Sequence, residues 1–545
     1  MRDRYLNGFD SIWIDSLNGD KYRTGKVTPD GVPDPSAFTT NRNREGIQVG
    51  TAVATMLCKR KHRSPAEVLY RDFWGATKLK ELEAFGKKWS AKKYEKVIPI
   101  PELALPFRPM TTELRYTSWP LIPNLFPTYF TGVKTSRDEV VVAIDKESLV
   151  ERMMAYFDPK LSHEQMQRIS PRALEDATRF AAIETREFLQ KRGFKTKNVV
   201  PFTYRPFDTR WLYWEPETKL LDEKRSDYVP HVFAENYWIA AVQQNRKEYD
   251  PPPSIRHLAS LHMIERGTNV FPMLLRDTSN GHSLFGEDTG RICHELGDHC
   301  VNLSDTAITY LSTRGGVKST PHLFFHTVAV LHSPTYASEN ADALRQDWPR
   351  VPLPIDAKLL RISAVLGRQV TSLLDPESKV AGINEGKTSK GLGIIATLAV
   401  SDGSRLNLEA GDLEVKAGWS HQQQNKIMPG PGKAIERPYT PEEKAALGDG
   451  IALLGATTFD IYLNDKAYWK NIPANVWSYT LGGYQVIKKW LSYREFALLG
   501  RALTVAEVEH VRDVARRIAA LRLLGPELDA NYEAVKADLF AWPGS

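Results

Sequence analysis

Cysteine is scarce: the 545 residues hold three, too few for a disulfide framework and in keeping with a reducing cytoplasm. Long apolar runs are missing too. VGTAVATMLC (residues 49–58) is far shorter than the roughly 18–20 residues of a membrane-spanning helix. The opening, MRDRYLNGFD, has no apolar core of the kind a secretory signal requires. No internal repeat or low-complexity tract is present, which excludes a fibrous rod and wholesale disorder. Charge of one sign is barely in excess, at +6 with a pI near 8.9. That balance permits a polyanionic partner without requiring one. What remains is an ordinary globular composition, 42% hydrophobic and 25% charged, with 35 Gly and 34 Pro. The chain is too long for one compact core and long enough for two or three domains.

The first 75 residues read as the end of an α/β domain. MRDRYLNGF suggests the last turns of a helix closed by Gly8, and SIWI (11–14) a short β-branched strand. A Gly/Pro/Asp-rich loop runs from Asn18 to about Gly46. VGTAVATMLCKR then predicts a strand covered on both faces, and VLYRDF (68–73) another. Two or three strands cannot bury their faces alone, so this fragment needs more of a sheet than the chain supplies. A lysine-rich helical stretch follows from Trp74 to about Trp89, and PIPELALPFRP marks a boundary. ALEDATRFAAIETREFLQKRG (173–193) predicts a helix closed by Gly193, RWLYW a strand, and LFFHTVAVL (323–331) a buried helix with a second one before PRVPLP. TVAEVEHVRDVARRIAALRLLG opens with a capping box, Thr504 and Glu507, and carries Val508, Val511, Ala515 and Ile518 on one face.

Several short patterns touch on chemistry, each with a plainer reading beside it. Asp250-Pro251-Pro252-Pro253 begins like the Asp-Pro-Pro-Tyr loop of amino-methyltransferases but lacks the aromatic residue that stacks on an extruded base. Asp412, Glu414 and Lys416 form a Glu-x-Lys pattern on an expected strand; metal-dependent nucleases use such a pattern, and so does any solvated strand face. Cys293, His294, His299 and Cys300 offer four zinc ligands, yet adjacent ligands strain a tetrahedron, and no metal is expected. GGVKS and GPGKA lack the spacing that wraps a phosphate.

Cations interleaved with aromatics are more informative. Arg205, Arg210, Lys219, Lys224 and Arg225 stand beside Tyr204, Trp211, Tyr213 and Trp214; Lys488, Lys489 and Arg494 stand beside Tyr484, Trp490 and Tyr493. These eight cations are the DNA-binding candidates, suited to phosphate contacts and, for arginine, to a guanine edge. KRKHR (59–63) is denser but reads as the solvated end of a strand.

Longer strings carry a resemblance. FDSIWIDSLNGDKYRTGKVTPDGVPDPSAF and REGIQVGTAVATMLCKRKH resemble the closing strands of the methyltransferase domain in Type ISP restriction-modification enzymes, which are related to Type IIG enzymes. YRPFDTRWLYWEPETKLLDEKR, LFFHTVAVLHSPTYASENADALRQDWPRVPLP, GDLEVKAGW and VWSYTLGGYQVIKKWLSYRE are similar to that family's C-terminal specificity region. The family combines nuclease, helicase-like motor, adenine-N6 methyltransferase and target recognition domain in one chain. The resemblance therefore implies a truncated, split or mis-started product: no Gly-rich cofactor loop, no intact Asn-Pro-Pro-Tyr and no helicase motif is found. It also implies that Phe38 or Tyr22, on the loop between the closing strands, lines a pocket for a flipped adenine; the plainer alternative is an aromatic packing on its own hairpin.

The expected fold is α+β: the C-terminal strands of a Rossmann-like methyltransferase sheet (1–85), a connector of extended segments and helices (86–198) and a mixed helix/strand target recognition domain (199–545). The expected function is sequence-specific recognition of double-stranded DNA, with no catalytic residue in this chain and no cofactor bound by it alone. S-adenosylmethionine belongs to the complete enzyme. The alternatives are one half of a split methyltransferase, active with a separate chain that pairs on an exposed edge at Ser11–Ile14, and an interaction module that docks on protein only.

Overall fold

The computed structural model describes residues 1–62, 64–245, 248–265, 267–276, 295–296, 299–423 and 426–543. It is an α+β protein built from several small sheets and packed helices. Among the described residues no helix is long and apolar enough to cross a membrane.

The amino-terminal sheet has the order Ala52–Leu57, Ser11–Ser16, Glu67–Asp72, Glu95–Val97. Ser11–Ser16 runs antiparallel to the first of these and parallel to Glu67–Asp72. Strand alternation sends Ile12 and Ile14 to one face, under the helix Arg2–Gly8, and Trp13 and Asp15 to the other, under the helix Lys78–Lys87. One expectation is corrected here. Ser11–Ser16 is an interior strand, not an edge. The apolar run, suited by composition to a strand covered on both faces, forms the edge strand Ala52–Leu57, and the shortage of strands leaves Val53 43% and Leu57 42% exposed, as expected. An apolar run reports what a strand can bury, whereas position in the sheet decides what it does bury.

Two four-stranded sheets make the next body. One pairs Ser254–Ile255, Trp238–Ala241, Asn269–Pro272 and Phe130–Thr131; the other pairs Leu258–Ala259, Val199–Arg205, Asp208–Tyr213 and Val142–Ala143. The helices Lys146–Phe157 and Ala182–Arg192 close a core that includes Met153, Tyr156, Phe202, Leu212 and Trp238. The second helix starts later than the expected 173–193. Residues Ala177 and Phe180 bridge each other instead, and the Asp176 carboxylate accepts the Ala182 amide (2.8 Å) where the helix begins.

The largest core joins most of the carboxy-terminal helices to an antiparallel sheet ordered Thr397–Val400, Ala467–Pro473, Thr457–Tyr462, Ala434–Pro438. Thr320–Leu331, the expected apolar helix, is buried along most of its length and crosses Ala357–Leu374 at Gly367. A Cβ at Gly367 would sit 1.7 Å from the Phe325 carbonyl oxygen, so only glycine permits this approach. The helix Val505–Leu523 begins with the expected capping box and buries Val508, Val511, Ala515 and Ile518.

Candidate nucleic-acid interface

The hairpin Val199–Arg205/Asp208–Tyr213 and the helix Val486–Ser492 bring four of the eight cationic candidates into one cluster. Its centre is Asp208, 2% exposed at the start of the second hairpin strand. The carboxylate accepts two bonds from Arg210 (Nε 3.0 Å, Nη2 2.7 Å) and one from Arg494 (Nη2 2.9 Å), which lies 286 residues away in sequence. Burial alone would raise the Asp208 pKa; the two guanidiniums overcome it and hold the carboxyl well below the usual range. The Arg210 guanidinium lies 3.7 Å from the Tyr204 ring and 4.3 Å from the Tyr493 ring. That of Arg494 lies 3.7 Å from Trp490, with Nε 3.5 Å from Glu507. Arg210 and Arg494 are thus interior braces.

Arg205 and Lys489 complete the cluster, Lys489 as buried as Arg210 at 8% exposure. The Arg205 guanidinium lies 4.6 Å from Tyr204 and 5.0 Å from Tyr484, and its Nη1 donates to the Tyr204 carbonyl (2.7 Å), leaving Nε buried without a partner. The Lys489 amine lies 4.6 Å from the Tyr493 ring and 3.4 Å from the Ile427 carbonyl oxygen. Burial pulls its pKa down. Burial pushes the Tyr493 hydroxyl up, but Arg205, Lys489 and Arg210 together bring it below the ordinary tyrosine value. Among the described residues neither Arg205 nor Lys489 forms an ion pair, and neither does the half-buried Lys488 on the same helix. Two cations therefore face tyrosine rings with no carboxylate between them, a setting that favours an anion.

Lys219, Lys224 and Arg225 sit on the loop after the hairpin and are differently employed. Lys224 donates to the Pro216 carbonyl, Arg225 pairs with Glu223, and the exposed Lys219 reaches the Asp222 carbonyl at 3.4 Å. Tyr22 and Phe38 lie in the amino-terminal loop that the buried Asp34 ties down, through Gly19 (2.7 Å), Gly75 (2.8 Å) and Lys78 (2.5 Å). The Tyr22 hydroxyl donates to Gln48 (3.2 Å), and Phe38 is 54% exposed.

The remaining patterns resolve into structure. Asp250 accepts from the Thr480 hydroxyl and the Gly483 amide, both at 2.6 Å, so the proline tract clasps the neighbouring hairpin. Residues 412–416 are not the expected strand; they form a turn in which Glu414 pairs with Lys416 while the Lys416 amide reaches the Leu463 carbonyl (2.7 Å). Cys293 and His294 lie outside the described residues. His299 stacks on Phe233, ring centroids 4.1 Å apart. Sequence reasoning missed Asp208, because the strand expected from RWLYW starts at Arg210 and the observed one starts two residues earlier, which puts both side chains on one face.

With this geometry in place, comparison identifies the chain. It belongs to the family of the Type ISP C-terminal specificity domain, whose family model matches residues 124–521. Three solved structures share its fold. A nuclease-deletion mutant of the Type ISP restriction-modification enzyme LlaGI, in complex with a DNA substrate mimic, aligns with a TM-score of 0.54 at 16% identity over 97% of this chain and 44% of its own. The DrdV–DNA complex aligns with a TM-score of 0.56 at 17% identity over 97% and 48%. The ATP-dependent Type ISP enzyme LlaBIII bound to DNA aligns with a TM-score of 0.58 at 15% identity over 98% and 31%. The chain spans less than half the length of each of these. No curated protein matches it.

Proposed function

We propose that this chain recognises a specific sequence in double-stranded DNA, as the specificity portion of a restriction-modification adenine-N6 methyltransferase acting in the cytoplasm. The observation that carries the reading is the convergence of Arg205 and Lys489 on Tyr484 and Tyr493, beside the braces Arg210, Arg494 and Asp208. Membership of the specificity family and the fold shared with DNA-bound enzymes support it. Arg205, Lys488, Lys489, Lys219, Lys224 and Arg225 neutralise backbone phosphates and set the register, while loop side chains read base edges in the major groove. Residues 1–85 correspond to the end of a methyltransferase domain, 86–198 to a connector and 199–545 to the recognition domain. Selection of bound duplexes from a randomised pool is expected to return a short asymmetric motif. Recovery of unenriched sequence would refute specific recognition.

A second reading has an observation of its own. Among the described residues the strand Ala52–Leu57 bonds to a neighbour on one side only, and such an edge admits a strand from another chain. In that arrangement a separate methyltransferase core holds S-adenosylmethionine, and Phe38 or Tyr22 walls the pocket for the flipped adenine. Mixing the chain with that core should restore adenine methylation, and Phe38→Ala should lower its rate. An unchanged rate would remove Phe38 from the pocket.

A further inference from the structure

One end of the amino-terminal sheet gathers a different chemistry, outside the family match and separate from the cationic cluster. Asp10 immediately precedes Ser11–Ser16, Cys58 immediately follows Ala52–Leu57, and the register pairs Ser11 with Leu57. The Asp10 amide donates to the Leu57 carbonyl (2.8 Å), and its carbonyl accepts from the Glu67 amide (3.1 Å), so its backbone is pinned between two strands. The chain then turns after Cys58 and brings His62 back to the same place, in a Cys-x3-His spacing that zinc sites use. One ligand atom from each of Asp10, Cys58 and His62 lies within 4.8 Å of the other two.

The hydrogen bonds show how the ring is set. His62 Nε2 lies 2.7 Å from the Asn7 carbonyl oxygen. A carbonyl can only accept, so Nε2 carries a proton and Nδ1 is left to act as a ligand. Nδ1 faces Asp10 Oδ2 at 3.2 Å. A ring lone pair and a carboxylate oxygen repel unless a cation stands between them, either a second ring proton or a metal ion. The proton leaves Cys58 without a role, whereas a metal ion employs all three side chains. Oδ2 also accepts from the Lys59 amide (2.7 Å), and the Asp10 side chain is only 6% exposed. Ring N–H to backbone carbonyl and carboxylate to amide are the outer bonds that orient metal ligands. Ligand atoms of a tetrahedral zinc stand about 3.3–3.6 Å apart, a spacing these side chains reach by small rotations. Thiolate with imidazole and carboxylate selects such a borderline-soft ion over magnesium or calcium. Lys59, Arg60 and Lys61 are exposed, so water screens their charges, while two anionic ligands touch the ion.

We propose that Asp10 Oδ2, Cys58 Sγ and His62 Nδ1 bind one divalent ion of the zinc class, with water in the fourth position. Binding releases the thiol proton to solvent. The ion clasps the end of the edge strand Ala52–Leu57 to Ser11–Ser16 and, through Asn7, to the helix Arg2–Gly8. The test is titration of the reduced full chain with cobalt(II), followed by absorbance. One equivalent should produce a thiolate-to-cobalt charge-transfer band and the strong visible absorption of a four-coordinate ion, and zinc should discharge both. Cys58→Ser should remove the charge-transfer band. His62→Gln should weaken cobalt binding by at least about tenfold, a loss that even an outer partner of a ligand can cause. Both side chains are exposed, so the metal-free variants should keep the thermal midpoint of the parent. Zinc should slow amide exchange in Ala52–Leu57 of the parent and not of Cys58→Ser. No charge-transfer band in excess cobalt would overturn the proposal and leave His62 and Asp10 as a plain ion pair. A band that survives Cys58→Ser would place the thiolate elsewhere in the chain and overturn it too, as would cobalt affinity untouched by His62→Gln.

Discussion

Asp208 and Arg205 lie three residues apart on one hairpin and hold opposite kinds of position. Asp208 is the only carboxylate that both Arg210 and Arg494 hydrogen-bond among the described residues, so Asp208→Asn strips Arg210 of its ion pair and leaves Arg494 only the longer contact to Glu507. Breaking a buried pair from one side costs about 3–5 kcal/mol, which should appear as a lower urea midpoint with an unchanged slope. Arg205→Ala removes a cation that has no ion pair to break, and its denaturation curve should move by no more than about 1 kcal/mol. A second effect at this scale is acid sensitivity. His326 sits between the Ser363 hydroxyl and the Pro352 carbonyl, each at 2.8 Å, and burial lowers its pKa to about 4. Burial lowers His332 to about 4 as well. Both pKa values rise toward about 6.5 on unfolding, so the unfolded chain binds more protons between those limits and stability falls as the pH drops from about 6.5 to about 4. Thermal midpoints measured across that window should decline steadily; a flat profile would show that these imidazoles are not sealed from solvent.

Helices and strands show where the sequence was legible. The capping box at Thr504 and Glu507 and the apolar 323–331 run both announced their helices, because the signal is local: a cap bonds within three residues, and a continuous apolar run requires burial on all sides. The exposure of Val49, Val53 and Leu57 was legible from the shortage of strands, whereas which strand ends the sheet was not. The centre of the cationic cluster was only half legible. Both cation-rich segments stood out, but the role of Asp208 depends on Arg494, and no local pattern links residues 286 apart. Gly367 belongs to this scale too. Gly367→Ala pushes a Cβ into the Phe325 carbonyl, and the two helices must separate; overpacking of this kind costs about 1–3 kcal/mol or more, measurable by denaturant titration. A stability equal to that of the parent chain would mean that the crossing is looser than its geometry indicates.

Across the whole molecule, stability and recognition are divided between side chains. Asp208, Arg210 and Arg494 hold the hairpin to the carboxy-terminal helices from within, and the cations beside them are left without internal carboxylates. The amino-terminal sheet is the thinnest part, with an exposed edge and two small core clusters. Amide exchange should therefore be fastest in Ala52–Leu57 and slower in the interior strand Ser11–Ser16, and the reverse order would contradict the sheet topology. The most direct test of the central claim is the salt dependence of duplex binding by the parent chain and by Arg205→Ala and Lys489→Ala, followed by fluorescence anisotropy between about 50 and 200 mM salt. Affinity is expected to fall steeply on a log–log plot, with the slope reduced by about 0.9 for each phosphate contact removed and the fold unchanged. Association that ignores salt, or slopes identical in all three proteins, would show that the Arg205–Lys489 cluster does not grip DNA.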